Sequence, residues 1–202
     1  MPATKAAILH AAIEIFAEKG YEGASIQEIA DLAGVNKAHP YWYYSNKKDL
    51  YRHVLIRCTE QMQDVFLKYY EPSDDPLAAF FNFVYAYHEA AHHYLPLLKI
   101  LRWEMAQGNK TLREGIKQRK IFPKVFNLLK NIVQKGINQG LFKEIDRCYA
   151  TLAVFNACNM GFFWRWDILE TFPNIPLPRE ISDCELFRRR VSDFCLSLIL
   201  LK

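Results

Sequence analysis

"SIQEIADLAGVNKAHPYWYYSNKKDL", residues 25 to 50, decides how the rest of the chain is read. Ser25 and Glu28 have the spacing of a capping box: the serine oxygen takes the amide of the third helical residue, and the glutamate reaches back to the serine amide. Ile26, Ile29, Ala30 and Ala33 then recur at helical spacing. Gly34 stops that helix after about two turns. Val35 starts a short connection, and a third short helix is expected over 36–44. Asn46 caps a fourth, with Leu50, Val54, Cys58, Met62, Val65 and Tyr69 on its buried side. Two short helices joined at a tight glycine turn make a helix-turn-helix pattern.

In such a pair the second helix enters the major groove of DNA, where polar side chains read base edges while Tyr, Lys and backbone N–H groups hold phosphates. Lys37 and His39 lie at its start, and Tyr41, Trp42 and Tyr43 continue the surface. Lys47 sits in the first turn of the following helix, where amides favour a phosphate. Residues 1–50 as a whole carry five Lys and six Asp/Glu, but within 36–53 Lys37, Lys47, Lys48 and Arg52 face only Asp49. The net charge of +4 on 202 residues therefore matters mainly for where it is focused.

Before this stretch Ile8, Ala11, Ala12, Ile15 and Phe16 form one apolar stripe, and Gly20 ends the first helix. The run from Phe16 to Leu50 resembles the N-terminal domain of the tetracycline-repressor (TetR) family of transcription regulators. The matching features are Phe16, Gly20 and Tyr21, the Ser25-capped helix with Ile29-Ala30, and Gly34-Val35, followed by Lys37, Tyr41, Tyr43, Tyr44, Lys47 and Leu50. The resemblance covers about residues 5–55. It implies a homodimer that binds a palindromic operator in double-stranded DNA, usually as a repressor released by a small ligand in the C-terminal domain. By the same resemblance Gln27, Asn36, Lys37, Ala38, His39, Tyr41, Trp42, Tyr43 and Lys47 fall at DNA-facing positions, while Tyr44 and Leu50 belong to the core.

Pro40 departs from the family pattern, which has a large aliphatic residue there. With Asn36 as N-cap, proline would be the fourth helical residue and lose a backbone bond to Asn36. It also pushes His39 away from the α region. Two outcomes are open: a helix that starts late, with His39 as cap and Pro40 in its first turn, or a strained one. Either moves Lys37 and His39 relative to the groove, and Pro40→Leu is expected to tighten DNA binding or raise stability.

Pro72-Ser-Asp-Asp-Pro76 is the clearest break. After it, helices are expected over about 75–93, 96–107, 110–139, 146–171 and 182–201. Thr111–Glu114 and Ser182–Glu185 read as capping boxes; Gly140 closes one helix and Asp146 caps the next. The fold is all-α: an N-terminal three-helix helix-turn-helix domain over 2–50, extending into helix 4 to about 62, then a C-terminal helical bundle for ligand binding and dimerisation over 51–202.

The 146–171 helix is apolar nearly all round, so it is buried on two sides. Ala153, Ala157 and Gly161 form a small-residue ridge on it, and Phe187, Val191, Phe194, Leu198 and Leu201 form a seam at 4-3-4-3 spacing on the last helix. These two helices suggest a four-helix dimer interface, two from each subunit; packing inside one subunit is the plainer alternative. The wealth of rings, from Phe80 and Phe83 to Trp103, Phe126, Phe155 and Phe163, suits a cavity for an unknown small ligand, largely apolar or aromatic. His88, His92, Arg102, Glu104, Asn156 and Asn159 are the polar candidates to orient it; a well-packed aromatic core is the alternative. Arg188, Arg189 and Arg190 read as a solvated face opposite the seam.

His88 and His92 share a helix face and could hold a metal. With His93 they lie near a helix C-terminus, where imidazoles are favoured anyway, and no third ligand is evident. No metal and no cofactor are expected. Five scattered cysteines without CxxC spacing suit reduced core thiols. The N-terminus lacks signal-peptide character, and the longest nearly apolar run, 77–87, is too short to span a bilayer. The chain reads as a soluble cytoplasmic protein without a membrane partner. An all-α enzyme is disfavoured, since no nucleophile–base pair, phosphate-cradling loop or HExxH occurs. A helix-turn-helix protein with weakened DNA binding, acting through protein contacts, stays open.

Overall fold

The computed structural model describes residues 3–108, 111, 113–114, 123–171 and 183–201. Its helices are α1 (Ala3–Gly23), α2 (Ile26–Leu32), α3 (His39–Tyr43), α4 (Lys47–Tyr69), α5 (Pro76–His93), α6 (Leu95–Ala106), α7 (Pro123–Asn138), α8 (Arg147–Thr171) and α9 (Cys184–Ile199). The fold is all-α, and a β-bridge, Phe142 with Leu200, ties the end of α9 to the loop after α7. The contacts divide the chain into two units, one built from residues up to 63 with the described part of 93–122, the other from 64–92 and 123 onward.

The first unit closes around Ile8, Ala12, Phe16, Ile29, Tyr44, Leu50, Tyr51 and Val54, joined by Leu97 and Ile100 of α6. These are the stripes expected on α1, α2 and α4, so burial follows the helical period. Phe16 and Tyr51 meet edge to face, 4.8 Å between centroids. The α1 helix runs beyond its expected end: Gly20 breaks it with φ +67°, and the last turn continues to Gly23. A Cβ at Gly20 would lie 2.8 Å from the Trp103 ring, so glycine is needed both for the backbone and for the approach of α6.

The second unit packs Phe66, Phe80 and Phe83 with Leu129, Val133, Phe142, Val154 and Phe155. Gly140 has φ +69° just after α7, and Asp146 accepts the Tyr149 amide at 2.8 Å to cap α8, both as expected. Of the helix expected over 110–139, Thr111, Arg113 and Glu114 are helical and α7 covers Pro123–Asn138, while residues 115–122, with part of the Thr111–Glu114 box, lie outside the described residues. One cap differs. Asp183, not Ser182, caps α9: its Oδ1 accepts the amides of Glu185 at 2.8 Å and Leu186 at 2.9 Å. Aspartate one residue closer to the first turn suits the same role.

Cys58, Cys158 and Cys195 are buried free thiols and Cys148 is half-buried; Cys184's side chain lies outside the described residues. Burial pushes the Cys58 thiol up to about 12. No described helix is long and apolar enough to cross a membrane.

Candidate nucleic-acid interface

Local chemistry builds the α2–α3 pair. Ser25 Oγ accepts the Glu28 amide at 3.2 Å, and Glu28 Oε2 accepts the Ser25 amide at 2.9 Å, completing the capping box. Glu28 Oε1 also takes the Lys19 ammonium at 2.5 Å. That hydrogen bond, with those from Ser25, holds the Glu28 carboxyl down to about 2. At the other end Val35 N–H donates to Ala30 O at 2.9 Å and Gly34 N–H to Asp31 O at 3.1 Å. With Gly34 at φ +67° this is a Schellman turn, which fixes the angle at which the chain leaves α2.

The next helix starts late. Asn36 Oδ1 accepts the Ala38 amide at 3.0 Å and its carbonyl accepts the His39 amide at 2.9 Å, so 36–39 form a turn and α3 begins at His39. Of the two outcomes left open for Pro40, the structure takes the late start, with Ala38 rather than His39 at the N-cap position. Pro40 occupies the first turn, where a missing N–H costs little. Its ring is buried, and Tyr44 N–H closes the helix on Pro40 O at 2.9 Å.

Burial then sorts the side chains. Tyr44 and Leu50 are in the core, as expected. Tyr41 is 50% exposed and Trp42 69%. Asn36, Lys37 and Ala38 are exposed; His39, Tyr43 and Lys47 are half-buried. Gln27, one helix earlier, is exposed and donates to Asp31 at 2.7 Å. These positions thus spread over α2, the turn before α3, α3 itself and the start of α4, with Lys37 in the turn and the exposed rings on α3. Lys47 is braced at the side: its ammonium lies 4.6 Å over the Tyr21 ring and 3.4 Å from Glu22 O.

Asn46 Oδ1 caps α4 through the Asp49 amide at 2.9 Å, while Asp49 takes Ser45 N–H, Arg52 and the His53 side. Burial raises the Asp49 pKa, but the Ser45 amide, His53 and Arg52 outweigh it and leave the carboxyl below its usual value. Sequence reasoning missed Lys5. Its ammonium lies 5.9 Å over Tyr43 and 5.4 Å over Tyr44, which sets a cation from α1 at the end of α3. Its i, i+3 relation to Ile8 was the available signal.

The residues expected around a ligand are placed unevenly. Phe126 of α7 stacks 5.9 Å from Phe155, which packs on Phe83 and Tyr87. Tyr87 donates to Asn159 Oδ1 at 2.6 Å, a partly buried polar link between α5 and α8, and burial drives the Tyr87 pKa upward. His88 is buried in the same unit; His92 and Asn156 are exposed. Arg102 and Trp103 are exposed on α6 in the first unit, and Glu104 is buried there; burial, with the negative charge of Glu104, drives the Tyr51 pKa upward. The Phe163 side chain lies outside the described residues.

On the helices expected to pair, the described part of α8 buries Ala150, Thr151, Val154, Phe155 and Cys158 while α9 buries Ser192, Cys195, Leu196 and Ile199. The faces left outward carry Tyr149 (66% exposed), Leu152 (52%) and Phe194 (57%). Ala153, Ala157, Phe187, Val191 and Leu198 are half-buried, and the Gly161 position lies where side chains are outside the description. Arg188 differs from the solvated face expected of it. It is half-buried, 2.7 Å from Glu89 and 4.2 Å over the Tyr85 ring, because its helix packs toward α5 there. Arg189 and Arg190 are exposed.

Residues 8–54 match the family described as bacterial regulatory proteins, tetR family. RutR of Escherichia coli (strain K12), an HTH-type transcriptional regulator, is 32% identical over 56% of this chain and 53% of its own length, so the chain spans about half of that relative. The HTH-type transcriptional repressor SCO4008 of Streptomyces coelicolor is 30% identical over 76% of this chain and 77% of its own. The structure of the transcriptional regulator FadR from Bacillus subtilis, in complex with stearoyl-CoA, aligns with a TM-score of 0.74 at 20% identity over 96% of this chain and 98% of that one, a likeness of fold. With the capped α2, the Schellman turn and the ring-rich α3 in place, the chain belongs to the tetR family of bacterial regulatory proteins.

Proposed function

We propose that the protein is a DNA-binding transcriptional regulator, a repressor that binds a palindromic operator as a homodimer and is released by a small, largely apolar or aromatic ligand. The observation that carries the DNA-binding part is the division of residues 36–47. Pro40 and Tyr44 are buried, while Lys37 in the turn and Tyr41 and Trp42 on the short helix after it are left in water. Large rings in water beside lysines are costly unless something covers them, and the major groove suits both. Asn36, Ala38, His39, Tyr43 and Gln27 complete the contact, with Lys47 and Lys5 toward the phosphates.

Two copies join through α8 and α9. Tyr149, Leu152 and Phe194 would otherwise form an exposed apolar face, and Ala153, Ala157, Val191 and Leu198 lie beside them. A two-fold dimer gives two α3 helices and hence a two-fold operator. Within the second unit the rings of Phe83, Tyr87, Phe126 and Phe155, with Asn159 as a polar anchor, are the surroundings an apolar ligand needs.

The test is a mobility-shift titration with DNA from upstream of the protein's own gene at two salt concentrations. Binding that prefers that sequence and weakens steeply with salt is expected. Absence of binding below the micromolar range contradicts the reading and favours a protein that works through protein contacts.

A further inference from the structure

Asn36 has a carbonyl that would accept an amide proton from residue 40 in a helix starting there, and Pro40 has none to give. The His39 N–H donates to that carbonyl instead at 2.9 Å, and His39 Nδ1 faces the same oxygen at 3.3 Å. A proton donated from Nδ1 leaves Nε2, at the far edge of a neutral imidazole, as an acceptor. The ring centroid lies 4.2 Å from that of Trp42, with planes tilted by 47°. Trp42 is 69% exposed, the most open of the large apolar side chains on this surface. With the late start His39 stands at the first helical position, and its ring lies against the one three residues on.

The pair combines an apolar face with a directed acceptor. In the major groove an A·T pair offers a thymine 5-methyl and an adenine N6 donor; a G·C pair has a donor on cytosine but no methyl. We propose that His39 and Trp42 act as one reading unit for an A·T base pair, Trp42 covering the thymine methyl and His39 Nε2 accepting from the adenine amino group. This rests on the DNA-binding reading above and adds the identity of a base pair to it. A G·C pair at that place satisfies the imidazole but leaves the indole uncovered, so the methyl contact carries the discrimination against G·C while the imidazole demands a donor beside it.

Single-atom changes in the DNA test it. Duplexes are first enriched from a randomised pool with the full wild-type chain. Each A·T pair of the consensus is then rebuilt with uracil for thymine, which removes the methyl, or with purine for adenine, which removes the amino group. Fluorescence anisotropy titrations follow with wild type, Trp42→Ala and His39→Ala. At one A·T pair of each half-site, uracil is expected to weaken wild-type binding about fourfold, the worth of one methyl-sized apolar contact. Trp42→Ala loses that sensitivity and Trp42→Phe keeps it, while His39→Ala loses the sensitivity to purine at the same pair. Both side chains lie at the surface, and circular dichroism confirms that each variant is folded. Equal uracil and purine penalties in wild type and variants at every A·T pair overturn the assignment while leaving the DNA-binding reading intact. A pool that enriches no duplex overturns the DNA-binding reading itself, and the assignment with it.

Discussion

At Gly136 an added Cβ would fall inside the Phe142 ring, because α7 lets that ring lie flat on its backbone. The ring is fully buried and cannot retreat without opening the core around Phe80, 6.3 Å away. Gly136→Ala is expected to destabilise the fold by about 1–3 kcal/mol, the usual cost of overpacking, read from the urea midpoint. An unchanged midpoint would show that Phe142 moves freely. A second residue-scale prediction concerns acid. Glu28, held at about 2, titrates near 4.3 in an unfolded chain, so the folded state binds fewer protons between those values. The stabilisation is complete above the unfolded value and is lost as the pH falls toward about 2. Glu28→Gln should therefore flatten the fall of the melting temperature between about pH 5 and pH 2, most clearly at low salt because the Lys19–Glu28 pair is solvent-accessible. Parallel falls in both proteins would mean that this carboxylate is not coupled to folding. The chain announces the capping glutamate by spacing alone; Lys19 as its partner depends on how α1 lies beside α2.

Among the elements, α3 is the least secure by propensity and the most informative. Five residues cannot hold a helix by themselves, so its shape comes from Pro40 and Tyr44 packed beneath it. The late start makes the lost amide bond inexpensive, since His39 takes the Asn36 carbonyl. Pro40→Leu is therefore expected to change stability by less than about 1 kcal/mol, while letting the helix begin earlier and shifting Lys37 and His39. The measurement is DNA affinity beside the thermal midpoint: altered affinity with a nearly constant midpoint is expected, and a large rise in the midpoint would mean that the proline strains the native helix. Periodicity and capping signals locate α1, α2, α4, α5 and α8 closely, because apolar spacing and end residues act within a few neighbours. The start of α3 depends on which donor reaches one carbonyl. The cap of α9 depends on one residue of register between Ser182 and Asp183. Local patterns do not decide such choices.

For the molecule as a whole, the partition of the last helices matters most. The seam of Phe187, Val191, Phe194 and Leu198 is visible in the sequence, and so is the apolar character of α8. Which face meets its neighbour inside the subunit is not, because α8 is apolar nearly all round and its periodicity is weak; only packing shows that Cys158, Cys195 and Ile199 turn inward while Phe194 turns out. The ligand candidates were the least legible. Ring content alone does not say which unit a residue joins, and Trp103 packs on Gly20 rather than among the rings of the second unit. Phe194→Glu sets a charge on the outward face and should convert the proposed dimer to monomer in sedimentation experiments, with circular dichroism unchanged; a dimer that survives removes this face as the interface.

The most direct test of the central claim is a stoichiometric anisotropy titration of an enriched duplex with the full chain, repeated across salt concentrations. Two chains per duplex are expected at saturation, with log affinity falling linearly and steeply against log salt as lysines release counterions. Binding that saturates at one chain, or that is indifferent to salt, contradicts a two-fold regulator reading DNA through α3.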